Sequence, residues 1–137
     1  MDTGASDTSL PTVLARSESE DNATRIAAIP DLGRHIDAPT ARRRLEEIMT
    51  DDKIVTMRVD AAEQLVRHGG QIGLLAVLDE LGRRKDDPDI DYTAYMLSEL
   101  DNFGEFPVLA EASTIETTRF SEEARVGLDN LRKLMQK

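Results

Sequence analysis

The sequence predicts an all-α protein, a short α-solenoid of antiparallel helix pairs. Three observations lead there. Apolar residues recur at helical spacing in one segment after another, and no strand-like alternation of any length occurs. Residues 57–70 read as an amphipathic helix closed by Gly69-Gly70, with the apolar run 72–78 directly behind it. The pattern then returns: Leu65-Val66-Arg67-His68-Gly69 aligns with Leu100-Asp101-Asn102-Phe103-Gly104 at an offset of 35 residues. A short helix, a tight turn and a second short helix cannot bury their apolar faces alone, so such units stack.

Each element has a local reason. Residues 1–22 are rich in Thr, Ser, Asp and Glu and predict a flexible tail. Within it, only Leu10, Val13 and Leu14 offer apolar anchors, and 10–15 docking on the domain is the alternative. Residues 23–137 then form a single helical domain. A helix over 23–29 should end at Pro30. Pro39 suits the first turn of a helix carrying Leu45, Ile48 and Met49. Thr50-Asp51-Asp52 supplies capping oxygens to a helix over 53–68, with Ile54, Met57, Ala61 and Leu65 on one face and Ala62 and Val66 widening it. Gly69-Gly70 provides the bend. The next helix, 72–84, carries Leu74, Leu75, Leu78 and Leu81 and closes on Arg83, Arg84 and Lys85, favourable against the helix dipole. A helix over 91–103 follows, with Tyr92, Met96, Leu100 and Phe103 on its expected buried stripe and Gly104 at its end. A weaker helix spans 106–115. Ser121 caps the last one, in which Ala124, Leu128, Leu131 and Met135 fall at steps of 4, 3 and 4.

The stretch Met57-Arg58-Val59-Asp60-Ala61-Ala62-Glu63-Gln64-Leu65 through Gly69 resembles a HEAT-like repeat. Arg58, Ala61, Ala62, Leu65, Gly69, Leu75 and Leu78 occupy the places of that pattern. The match covers about 50–81, and a partial second unit covers about 88–113, where Tyr92-Thr93 and Met96-Leu97 replace the expected residues. The resemblance implies a right-handed solenoid and a protein-binding role, and it carries over no catalytic residue.

The chemistry of the chain is restricted. With no cysteine, a disulfide scaffold, a cysteine nucleophile and thiolate-ligated metals are excluded. The two histidines, His35 and His68, do not make a metal or catalytic set. His68 reads as a helix C-terminal residue, and no nucleophile elbow or phosphate loop is present. Asp87, Asp89 and Asp91 stand at calcium-loop spacing, but Tyr92 holds the glycine position and Ser98 the terminal glutamate position. No catalytic residue, cofactor or metal is expected. The N-terminus lacks the basic and apolar regions of a signal peptide, and the longest apolar run falls far short of the roughly 20 residues that span a bilayer. The expected location is cytoplasmic.

Charge is the strongest functional signal. The net charge is −10, and residues 86–123 hold 11 acids against Arg119 alone. Elsewhere acids and bases cancel. Such a surface repels nucleic-acid phosphate and anionic membranes and favours a basic protein partner. Arg42-Arg43-Arg44, followed at once by Glu46 and Glu47, reads as an ion-paired face. Between 91 and 103, Asp91, Tyr95, Glu99 and Asn102 share the face opposite Met96 and Leu100. The expected partner surface is therefore Asp87, Asp89, Asp91 and Tyr95, continued by Glu99, Asp101, Asn102 and Glu105. A non-enzymatic interaction domain results, of which a neutraliser of a basic toxin, an immunity protein, is one form. The alternative is a self-associating assembly or adaptor module, in which another subunit completes the apolar stripe of 120–135. A lyase built on the same repeats is a third class, for which no acid–base constellation is present.

Overall fold

The computed structural model describes residues 7–136. Among them are eight α-helices and one 3-10 turn, with no strand. The helices run α1 (Leu10–Arg16), α2 (Asn22–Arg34), α3 (Pro39–Asp51), α4 (Val55–His68), α5 (Gly70–Arg83), α6 (Ile90–Asn102), α7 (Val108–Ser113) and α8 (Glu122–Met135), with the 3-10 turn at Thr117–Arg119 before α8. One continuous aliphatic core, from Val13 in α1 to Leu131 in α8, joins them all.

The centre is the α4–α5 hairpin. Helix α4 packs on α2, α3, α5 and α6, and α5 carries α7 and α8. Met57, Ala61, Ala62, Leu65 and Val66 form the buried face of α4, as the periodicity predicts. The hairpin turns at Gly70, whose φ of 62° is the left-handed conformation that glycine adopts without a Cβ clash. Helices α5 and α8 approach each other closely. A Cβ at Gly127 would stand 2.0 Å from the Leu78 carbonyl oxygen, and one at Gly82 would stand 1.8 Å from that of Glu123. Ser121 fixes the start of α8: its Oγ accepts from the Ala124 amide at 3.0 Å and donates to Asp79 of α5 at 2.5 Å. Helix α8 packs along α5 of the same chain with Ala124, Leu128 and Leu131 buried, while Phe120 and Met135, at the two ends of its apolar stripe, are only partly buried.

Four expectations need correction. The tail over 1–22 is not flexible throughout; residues 1–6 lie outside the described residues, but 10–16 form α1 and Val13 is fully buried. Polar pins make up for the scarce apolar surface. Arg44 of α3 donates to the Ser17 hydroxyl and carbonyl at 3.0 and 2.8 Å, and Arg16 pairs with Asp31 of α2 at 2.9 Å. Pro30 does not end α2, which runs on to Arg34. The proline is exposed, so the carbonyl it leaves unbonded can face water, while Ile29 and Leu32 on either side are buried. Tyr92 and Phe103 are not buried; they are 59% and 74% exposed. Helix α6 is rotated about its axis, so that Thr93 and Leu97 face inward beside Met96 and Leu100, which are buried as expected. Finally, Arg83 and Arg84 do more than meet the α5 dipole. Glu80, only 2% exposed, pairs with both. Arg84 Nε faces Glu80 Oε2 at 2.5 Å as an ion pair without hydrogen-bond alignment, and Arg84 also donates to the Thr50 carbonyl, tying α5 to α3.

Candidate functional site

Helices α4 and α6 enclose a groove of about 680 Å³. From α4 it receives Val55, Thr56, Val59, Asp60 and Glu63, residues at steps that keep them on one side of a helix, beside the buried face. From α6 and the residue before it come Asp89, Tyr92, Tyr95, Met96 and Glu99. The aliphatic and thioether side chains make the floor. Four carboxylates and two tyrosines surround it, and no basic side chain lines it. Tyr92 and Tyr95 are 59% and 51% exposed, three residues apart on α6 and therefore neighbours on one face.

The carboxylates differ in what already holds them. Glu63 accepts from Arg67 Nε at 2.7 Å, and Arg67 reaches on to Glu105 at 2.8 Å. These bonds, that of Glu63 foremost, hold Arg67 more firmly protonated than usual. Asp60, Asp89 and Glu99 have no cation within 4.0 Å among the described residues. Arg58, on the far side of Asp89, donates instead to the Asp52 carbonyl at 2.5 Å. Asp60 is the unusual member. Burial first, and the charge of Glu63 second, push its pKa above the ordinary 3.8. Its ionised form is therefore penalised in the isolated protein.

Neither a family model, nor a curated protein, nor a solved structure matches the chain. The site is thus read from its own geometry. Of the eight residues expected to form the partner surface, Asp89, Tyr95 and Glu99 meet in the groove. Asp91 lies across Tyr95, at a smaller cavity of about 320 Å³ edged by Lys85 and Lys133. The others are occupied within the chain. Asp87 accepts from the Asp89 amide at 3.0 Å and pairs with Arg84, so the calcium-like triplet diverges. Asp101 accepts from the Leu109 amide at 2.9 Å at the start of α7. Asn102 donates to Ser98, and Glu105 is held by Arg67.

Sequence reasoning missed Asp60, Glu63, Thr56 and Tyr92 as members of the site. One signal for the α4 half was present: Val55 and Val59 are apolar residues one turn apart, off the Met57–Ala61–Leu65 face. Among the described residues, no three His, Asp or Glu side chains gather as metal ligands, and no helix is long and apolar enough to cross a membrane.

Proposed function

We propose that the chain is a non-catalytic interaction domain, a short right-handed stack of HEAT-like helix pairs, whose α4–α6 groove docks a basic segment of a protein partner. One observation carries this reading. Asp60, Asp89 and Glu99 have no cation within ion-pair distance among the described residues, and they surround an apolar floor together with two exposed tyrosines. An apolar floor gives contact area, tyrosines give rigid amphipathic anchors, and uncompensated carboxylates give orientation and a fast encounter with a cation. Phosphate or an anionic membrane would meet only repulsion there. Neutralisation of a basic toxin is one form this binding would take.

Charge reversal at two places, with the change in net charge matched, tests it. A fluorescein-labelled octapeptide of alternating arginine and lysine serves as the probe, read by fluorescence anisotropy. The double variant Asp89→Lys, Glu99→Lys should lose binding at least tenfold. The double variant Glu111→Lys, Glu116→Lys alters the total charge equally, at exposed positions outside the groove, and should retain it. Equal losses in both would mean that only the overall charge attracts the peptide, and the groove would have no special part.

A further inference from the structure

We propose that the groove is selective for arginine: it takes a guanidinium between Tyr92, Tyr95 and Asp60, in preference to a lysine ammonium. This rests on the reading of the groove as a dock for a basic segment, and it names the side chain recognised.

Three features favour the guanidinium. Two tyrosine faces, one helical turn apart and more than half exposed, offer surfaces on which a planar cation stacks. The floor of Val55, Val59 and Met96 accepts the methylene stem but gives no hydrogen bond to a cation. An ammonium is compact and strongly hydrated, so entering such a place costs it more than it costs a guanidinium. Then there is Asp60, a carboxylate beside this floor with no cation partner among the described residues. Two parallel N–H donors of one guanidinium match its two oxygens. Glu63, three residues on, is already paired with Arg67, which also holds Glu105, so of the two α4 carboxylates in the groove Asp60 is the one in need of a donor.

The state of Asp60 agrees with this geometry. Its charge is disfavoured in the isolated protein, chiefly by burial, and a bound cation would relieve that. A side chain that weakens the free fold and has no partner in it is the kind of residue that binding sites retain.

The test compares labelled octa-arginine with labelled octa-lysine on the whole chain by fluorescence anisotropy, with helicity checked by circular dichroism. The wild-type protein should bind octa-arginine at least tenfold more tightly. Tyr92→Leu with Tyr95→Leu, which changes no charge, should bring the ratio to within about threefold of one, and Asp60→Asn should lower it in the same direction. Both tyrosines are exposed, so their removal leaves the core intact. If both peptides bind the wild type equally and both are lost in Asp89→Lys, Glu99→Lys, the dock stands and the arginine preference is overturned. A preference that survives the tyrosine and Asp60 substitutions overturns it as well. If neither peptide binds, the groove reading itself falls.

Discussion

Gly127→Ala offers a severe test of the packing. On the exposed side of a helix this change would stabilise, since alanine exceeds glycine in helix propensity by about 1 kcal/mol. Here the new methyl carbon would lie 2.0 Å from the Leu78 carbonyl oxygen and 3.0 Å from the Gly82 nitrogen. The near limit for such a carbon–oxygen contact is about 3.3 Å. Both obstacles are backbone, so no rotamer change can relieve them. Helix α8 must retreat from α5 by about 1 Å and loosen the buried Ala124, Leu128 and Leu131. Overpacking with backbone displacement costs up to about 3 kcal/mol, and the propensity gain offsets about 1, leaving a net loss near 2 kcal/mol. With an unfolding entropy near 0.3 kcal/mol/K for a chain of this size, the midpoint should fall by about 7 °C. Urea and thermal unfolding followed by circular dichroism measure both quantities. Asn130→Ala, at an exposed position of the same helix, is the control and should change stability by no more than about 0.5 kcal/mol. A Gly127→Ala protein as stable as the wild type would refute the close α5–α8 approach.

Two further outcomes follow. Asp60 has a folded-state pKa above the ordinary 3.8, so the folded protein binds its proton more tightly than the unfolded chain does. In the window between those two values stability falls as pH rises, and at neutral pH the whole cost of the charge is present. Asp60→Asn should therefore raise the urea midpoint at neutral pH, with the advantage shrinking as the pH is lowered through the raised pKa to below 3.8. Glu63, Asp89, Glu99 and the two tyrosines face the same groove in both proteins, so the difference between the two titrations reports Asp60 together with its repulsion of Glu63. A variant less stable than wild type at neutral pH would contradict this. Val13→Ala removes two fully buried methyl groups and should cost about 1.5 kcal/mol in a urea titration; no loss would mean that α1 is not docked.

The sequence was most informative where a residue's own covalent structure decides the backbone. Pro39 opens α3, Ser121 caps α8 and Gly70 makes the hairpin turn, and each was legible from a few neighbouring residues. The buried face of α4 was legible too, because several apolar residues repeat at one phase. The failures have a common cause. Whether Pro30 ends a helix depends on what holds the residues beyond it. Whether 10–16 is tail or helix depends on Arg44 and Asp31, supplied by two other helices. Tyr92 and Phe103 fit the apolar period of α6 as well as Thr93 and Leu97 do, and only the neighbours decide which set turns inward.

The same division runs through the site. The sequence alone determined that the chain is helical, that its negative charge is concentrated in residues 86–123, and that Tyr95 and Glu99 share an outward face. Outside that stretch acids and bases cancel, so no charge signal marked α4 as part of a site. Tertiary structure decided otherwise, by laying α6 beside α4 so that Asp60 joins Asp89, Tyr92, Tyr95 and Glu99 around one apolar floor. The physical reason is range. Caps, turns and periodicity act between residues a few positions apart, whereas a groove is made by whichever helices the buried faces bring together. Asp101 and Glu105 lie in the same acidic stretch, yet they are taken up by the Leu109 amide and Arg67, contacts that no local pattern reveals.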